Sequence, residues 1–167
     1  MDLNFFIINE KMRRLWKGQF SKTDKVLDVG CGEFPKCHNY LPSTIVCVDK
    51  SLSKSTHVLC DAQILAFRNS SFDGVVSVNA LYYCEDSRKA IGEFSRILRK
   101  GKKLIIVSPF FYPIHDVPYD KCRFTQSGLQ EILKGQFLVE KIVAVGGLFS
   151  IPALLLHSLQ KSVALLF

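Results

Sequence analysis

Six short, continuously apolar segments constrain the fold of this chain more than any other feature. They cover residues 25–29, 44–48, 57–60, 72–78, 103–108 and 137–145. Strands that are apolar along their whole length are typical of parallel sheets buried on both faces. Because helical stretches alternate with these segments, the pattern predicts an α/β fold, a doubly wound, mostly parallel sheet with helices on both faces.

Three helices are predicted between and beside these strands. Residues 3–17 have apolar residues at helical spacing, and so do residues 87–100, after which Gly101 stands at the C-cap position. Thr125 is a suitable N-cap for a third helix. The chain therefore alternates strands and helices in the order that a parallel sheet requires.

The length of 167 residues fits one domain, which we place at residues 1–147, followed by an apolar tail at 148–167. Pro152 and several polar side chains make the tail a poor membrane-spanning helix. We expect instead an interfacial helix that makes a peripheral membrane contact, or a homodimer contact, or the truncated end of a longer protein.

The charge and cysteine content narrow the class of protein. The net charge is +7, but the lysines and arginines are spread along the chain, so nucleic acid is disfavoured as a partner. Six cysteines are too sparse for a disulfide scaffold, and we expect reduced thiols in a cytoplasmic protein. The nearest cluster of metal-ligand types, Cys31, Cys37 and His38, fits no common zinc spacing, so no metal is predicted.

Acidic residues and glycines follow the predicted strands, at the edge where such sheets bind ligands. Asp28 ends the first strand, and Gly30 and Gly32 follow it. Asp49 ends the second strand, about 20 residues after the glycines, where a carboxylate takes ribose hydroxyls. Asp61 ends the third and suits an exocyclic amine. These carboxylates favour a cationic, ribose-bearing ligand over a polyphosphate.

The ordered series of motifs over residues 20–145 resembles class I S-adenosylmethionine-dependent methyltransferases. The motifs are VLDVGCG at 26–32, VCVDKS at 46–51, CDA at 60–62 and SFDGV at 71–75, followed by the helix and strand at 90–108. The resemblance implies a Rossmann-like fold with S-adenosylmethionine as the cofactor. The seventh, antiparallel strand usual in that fold is missing from the pattern. The cofactor-binding residues implied are Asp28, Gly30, Gly32, Asp49, Asp61 and Ala62, with Asn79 at the end of the fourth strand.

The loop after the fifth strand concentrates aromatic residues, prolines and a His-Asp pair. His115 with Asp116 is the predicted catalytic pair, since a histidine has a suitable pKa for a general base. Alternatively, His115 and Asp116 only pin the loop, and Asp120 is another partner for the imidazole. Arg123 either anchors the loop or holds an anionic acceptor. The segment resembles a subgroup associated with surface-polysaccharide and glycan biosynthesis.

The predicted function is methyl transfer from S-adenosylmethionine to a small-molecule or glycan acceptor. One alternative is a non-catalytic S-adenosylmethionine-binding partner or scaffold subunit. An RNA methyltransferase is a weaker alternative, because residues 79–82 (NALY) lack the Asn/Asp-Pro-Pro-aromatic motif of many amino-group nucleic-acid methyltransferases.

Overall fold

The computed structural model of the chain describes residues 10–11, 13–33, 38–41, 44–110, 112, 114 and 116–145. They fall into two compact units, one of which is Lys17–Glu140. In the other, residues 10–11 and 13–16 are helical, and Lys11 Nζ donates a 2.7 Å hydrogen bond to the carbonyl of Ala144. The predicted helix 3–17 is thus confirmed at residues 10–11 and 13–16 and ends one residue earlier than predicted, because Lys17 lies in a turn. The predictions for the tail 148–167 lie outside the described residues.

The unit Lys17–Glu140 contains a five-stranded sheet, and all strand pairs in this sheet are parallel. The spatial order is β3-β2-β1-β4-β5, which confirms the predicted α/β fold with a parallel sheet. Since β1 lies between β2 and β4, the chain changes direction across the sheet at β1. The strands are β1 (Lys25–Val29), β2 (Thr44–Asp49), β3 (Val58–Leu59), β4 (Phe72–Val78) and β5 (Leu98–Val107).

Two α-helices pack against one core cluster of this sheet. Helix α1 (Ser87–Ile97) begins at Asp86, whose carboxylate accepts a hydrogen bond from the Lys89 amide, and it buries Phe94 and neighbouring apolar residues. Helix α2 (Gln126–Leu133) lays its apolar residues on the same cluster. Its first turn is capped by Thr125, whose hydroxyl accepts from the Gly128 amide, as predicted.

The boundary between α1 and β5 differs from the prediction. The helix ends at Ile97 rather than at residue 100, and Leu98 already pairs with Phe72 of β4. The buried Leu98 side chain and its strand pairing stop the helix before Gly101. Gly101 has the positive φ of +76° expected of a C-cap glycine, but it lies inside β5.

The predicted sixth strand at 137–145 is wrong, because the described residues 134–145 contain no strand. The chain instead wraps around the end of α2, where the amides of Gln136 and Phe137 both donate to the carbonyl of Leu133. Gly135 has a φ of +82°, which allows this reversal. The apolar residues of 137–145 have the spacing of a strand, but this described segment pairs with no strand of the sheet.

Candidate functional site

The turn after β1 is fixed by backbone contacts with β2. The amides of Gly30 and Cys31 both donate to the carbonyl of Val48, at 2.8 and 3.2 Å. Gly30 has a φ of +74°, and a Cβ built there would lie 2.1 Å from the Cβ of Ala80. Glycine is therefore required at position 30 both by its backbone conformation and by the close approach of the chain after β4.

Gly32 and Asp49 are joined as the sequence predicts for one binding site. The Gly32 amide donates to Asp49 Oδ2 at 2.9 Å, and the Ser51 amide donates to Oδ1 at 2.9 Å. These two bonds fix the carboxylate at the end of β2. A Cβ built on Gly32 would meet no atom within 4 Å, so this part of the turn faces open space. The partly buried carboxylate and the open turn together leave room for a ligand.

Asp61, at the end of β3, is held by two partners. Its Oδ2 forms a 2.8 Å salt bridge with Lys50 Nζ, and its Oδ1 accepts a 2.8 Å hydrogen bond from the Gln63 amide. Burial opposes ionisation of Asp61, but the contacts with Lys50 and Gln63 outweigh it and lower its pKa. Ala62 follows directly and packs against the core. The carboxylate is thus ionised and oriented at the predicted edge.

Asn79 continues this edge after β4. Its amide donates to the carbonyl of Val107 at 2.8 Å, and its φ is +55°, which asparagine tolerates better than most residues. The chain turns sharply there, and this brings Ala80 against Gly30. Asn79 therefore helps to position the turn after β1, besides the cofactor contact predicted for it.

The carboxylate of Asp28 lies against a group that the sequence did not assign. Asp28 is 1% exposed, and its Oδ2 lies 2.9 Å from His38 Nε2. The same imidazole nitrogen lies 3.5 Å from Cys47 Sγ. The sequence analysis grouped His38 with Cys31 and Cys37 and did not pair it with Asp28 or Cys47. The strand register could have paired Asp28 with Cys47, which are direct neighbours on β1 and β2, but it gives no signal for His38.

The two buried thiols next to this site are protonated. Burial raises the pKa of Cys47 to about 12, helped by the neighbouring Cys31 and Asp28. Burial, followed by the charges of Asp28 and Asp49, also raises the pKa of Cys31. Neither thiol is a nucleophile at neutral pH in this environment.

The loop after β5 is held by side chains. Tyr83 Oη donates a 2.8 Å hydrogen bond to Asp116 Oδ2. Arg123 forms an ion pair with the buried carboxylate of Asp120, and its guanidinium also donates to the carbonyl of Tyr112 at 3.3 Å. Arg123 is therefore a loop anchor, one of the two predicted alternatives. His115 lies outside the described residues, so its pairing with Asp116 stays a prediction.

The structure brings most of the predicted cofactor residues to one edge of the sheet. Three carboxylates stand at the ends of β1, β2 and β3 around a glycine turn with open space before it. This arrangement fits a ligand with a cationic group, ribose hydroxyls and an amine-bearing base, such as S-adenosylmethionine.

Comparisons with known proteins agree with this geometry. Residues 27–106 match the family described as "Methyltransferase domain". The O-methyltransferase resE of Aspergillus sclerotiorum is 27% identical over 122 residues, which are 60% of this chain and 46% of that protein. This chain therefore matches about half the length of that curated relative.

Solved structures share the fold. A SAM-dependent methyltransferase from Aquifex aeolicus superposes with a TM-score of 0.63 at 17% identity, covering 83% of this chain and 84% of that one. A geranyl diphosphate C-methyltransferase from Streptomyces coelicolor, bound to S-adenosyl-L-homocysteine, also gives a TM-score of 0.63, at 16% identity, covering 81% of this chain and 62% of that one. No helix among the described residues is long and apolar enough to cross a membrane. Residues 27–106 of this chain are therefore similar to a methyltransferase domain, and the described residues share the Rossmann-like fold of solved S-adenosylmethionine-dependent methyltransferases.

Proposed function

We propose that this chain transfers a methyl group from S-adenosylmethionine to a hydroxyl group of a small molecule or glycan. The observation that carries the proposal is the hydrogen bond of Gly32 with Asp49, which joins the glycine turn and the ribose-binding carboxylate in one fixed site. The similarity to an O-methyltransferase supports oxygen as the acceptor atom. When bound, S-adenosylmethionine supplies an electrophilic methyl group.

Each strand-end residue has a separate part in holding the cofactor. Asp28 accepts from the ammonium of the methionine end, beside the turn at Gly30 and Gly32. Asp49 accepts from the ribose hydroxyls, and its orientation by the Gly32 and Ser51 amides prepares it for this role. Asp61 and Ala62 meet the adenine, with Asp61 kept ionised by Lys50. Asn79 borders the site from β4.

The acceptor lies, in this proposal, under the loop after β5, which follows the strand edge directly. His115 removes the proton of the acceptor hydroxyl, and Asp116, held by Tyr83, fixes the neighbouring backbone. An oxygen nucleophile gains from such proton removal, whereas positioning alone supplies much of the rate of an in-line displacement.

A direct test combines calorimetry with a cofactor-turnover assay. The purified chain should bind S-adenosylmethionine, and it should release S-adenosylhomocysteine with at least one member of a panel of phenols, nucleotide sugars and lipid-linked glycans. His115→Ala should leave cofactor affinity unchanged and lower turnover by about 10²–10⁴-fold if the residue is a general base. Folded protein without measurable cofactor binding would contradict the proposal.

A non-catalytic S-adenosylmethionine-binding partner or scaffold subunit is the second candidate, because the fold alone does not determine the chemistry. The [4+2]-cyclase SpnF has the same fold with a TM-score of 0.60 at 17% identity, over 76% of this chain and 57% of that one. The fold is thus compatible with proteins named for other chemistry. Cofactor binding without S-adenosylhomocysteine release from any acceptor class would favour this candidate over methyl transfer.

A further inference from the structure

Three metal-ligand atoms of different chemical types converge on one face of the sheet. Asp28 Oδ2, His38 Nε2 and Cys47 Sγ all lie within 4.8 Å of one another. The imidazole nitrogen is the shared neighbour, 2.9 Å from the carboxylate oxygen and 3.5 Å from the sulfur. Among the described residues, no other group of three or more His, Cys, Asp or Glu side chains converges in this way.

The sheet register and the crossover explain why these residues meet. Asp28 and Cys47 are paired in the parallel ladder of β1 and β2, so their side chains leave the same face of neighbouring strands. His38 belongs to a short 3-10 turn (His38–Tyr40) in the connection between these strands. The side chains of Asp28 and Cys47 are fixed by strands, and only His38 comes from a loop.

We propose that Asp28, His38 and Cys47 bind one Zn²⁺ ion. Zinc accepts oxygen, nitrogen and sulfur ligands together, which matches this donor set. Tetrahedral bonds of about 2.0–2.3 Å place neighbouring ligand atoms roughly 3.3–3.7 Å apart. The separation of 3.5 Å between nitrogen and sulfur already fits, and the separation of 2.9 Å between nitrogen and oxygen needs to open by a few tenths of an ångström. The oxygen and the sulfur lie within 4.8 Å of each other and have to reach the same range when the ion binds.

Burial and access are both compatible with a bound ion. The side chain of Asp28 is 2% exposed and Cys47 is 1% exposed, while the side chain of His38 is 26% exposed and provides an entry path from solvent. A bound cation favours the thiolate of Cys47 over the thiol. The proposal shares Asp28 with the proposed function: the ion takes Oδ2, the atom that faces His38, and the cofactor ammonium would bind through Oδ1. Its test uses neither S-adenosylmethionine nor an acceptor, so it can fail independently of methyl transfer.

Cobalt substitution tests the site directly. Protein purified with a chelator and a reductant is titrated with Co²⁺ alone, followed by its absorption spectrum, and then with Zn²⁺ alone. We expect one equivalent of Co²⁺ per chain, a thiolate-to-cobalt charge-transfer band, visible bands typical of tetrahedral coordination, and displacement of both by Zn²⁺. Cys47→Ser should remove the charge-transfer band while circular dichroism shows a folded chain.

His38→Ala provides the second, independent variant, because His38 lies in a loop and is partly exposed. It should weaken Co²⁺ and Zn²⁺ binding by about tenfold or more, since even the loss of a residue that only supports a ligand costs roughly 10–100-fold. Cys122→Ser is the matched control, because Cys122 Sγ contacts the Tyr82 carbonyl instead of this group, and it should retain the spectrum.

Three results would overturn the proposal. They are a wild-type chain that binds no Co²⁺ at micromolar concentration, a bound ion with an octahedral spectrum and no charge-transfer band, or unchanged binding in His38→Ala. If Cys47→Ser does not fold, the affinity of His38→Ala decides the question.

Discussion

The turn after β1 and the loop after β5 follow strands of the same sheet, but different kinds of contact hold them. In the turn, backbone amides of Gly30 and Gly32 bond to the neighbouring strand β2 and to its terminal Asp49. In the loop, side chains add the ion pair of Arg123 with Asp120 and the hydrogen bond of Tyr83 with Asp116 to two backbone hydrogen bonds. The first region depends on the sheet and on the small size of its glycines, and the second depends more on the identity of its large polar side chains.

This difference matches the parts that we propose for the two regions. A cofactor common to many enzymes needs a fixed site, and backbone hydrogen bonds between parallel strands provide one. An acceptor site differs between enzymes, and a loop held by a few side chains can be altered without disturbing the sheet. The loop also exposes large apolar side chains, with Phe110 at 68% and Ile114 at 80% exposure, a surface suited to contact with an acceptor.

The largest effect is expected from Gly30→Ala, which disrupts the backbone-held region. The positive φ costs about 1–2 kcal/mol and overpacking against Ala80 costs about 1–3 kcal/mol, so the free energy of unfolding should fall by about 2–5 kcal/mol. Gly32→Ala is the matched control, with a φ of +63° but open space, and should lose only about 1–2 kcal/mol. Equal losses in urea unfolding would show that the contact with Ala80 is unimportant.

Asp49→Ala tests the same region through the cofactor. Loss of hydrogen bonds to a charged group should weaken S-adenosylmethionine binding by about 1.5–3 kcal/mol in calorimetry. Asp73→Asn is the control, because Asp73 pairs with Arg99 near the start of β4, at the opposite edge of the sheet. This variant should bind S-adenosylmethionine with the affinity of the wild-type chain. Unchanged affinity in Asp49→Ala would remove this carboxylate from the site.

Tyr83→Phe tests the side-chain-held loop, with a smaller expected effect. Removing the hydroxyl that bonds Asp116 should weaken the loop by about 1 kcal/mol, because one hydrogen bond is lost at an exposed site. Hydrogen exchange of the Tyr119 amide, which donates to the Asp116 carbonyl, should become about fivefold faster. S-adenosylmethionine affinity should not change.

The control for this loop is Tyr40→Phe, which removes a hydroxyl from the short 3-10 turn between β1 and β2. It should leave the exchange of the Tyr119 amide unaltered. If Tyr83→Phe also leaves that exchange rate unaltered, the bond between Tyr83 and Asp116 does not stabilise the loop.

The smallest effect concerns pH and the salt bridge of Asp61 with Lys50. Because the pKa of folded Asp61 is lowered from 3.8, its stabilising contribution is complete above that pH and is lost as the pH falls through the lowered value. The partner Lys50 is more than half exposed, so the contribution should be below about 1 kcal/mol. Lys50→Gln should flatten the acid side of the stability curve, measured by thermal unfolding, and an identical curve would contradict this account.

The strand ends could be predicted from the sequence because parallel strands end at the same edge of a sheet. Asp28, Gly30 and Asp49 follow directly from where the apolar segments stop, and the hydrogen bond between Gly32 and Asp49 confirms that the first two strand ends meet. No comparable rule exists for His38. It reaches Asp28 from a short 3-10 turn ten residues along the chain, and neither a helical nor a strand period in the sequence predicts this contact.

The errors have a common physical origin in contacts remote from the local pattern. The apolar spacing of 137–145 satisfies a strand, but a strand forms only when it pairs with another. Likewise, the helical periodicity of 87–100 continues past Ile97, where pairing of Leu98 with Phe72 ends the helix. Local propensity located these elements and long-range pairing decided their limits.

The direct passage from α1 into β5 determines where the chain can change length. Helix α1 ends at Ile97 and strand β5 begins at Leu98, so there is no linker between them. One residue inserted there would rotate the buried face of the helix relative to the strand. Just beyond, five residue steps from Leu98 to Lys103 oppose two from Phe72 to Gly74, which leaves a local surplus of three. Insertions and deletions should therefore be tolerated at residues 99–102, and a few positions earlier they should abolish folding.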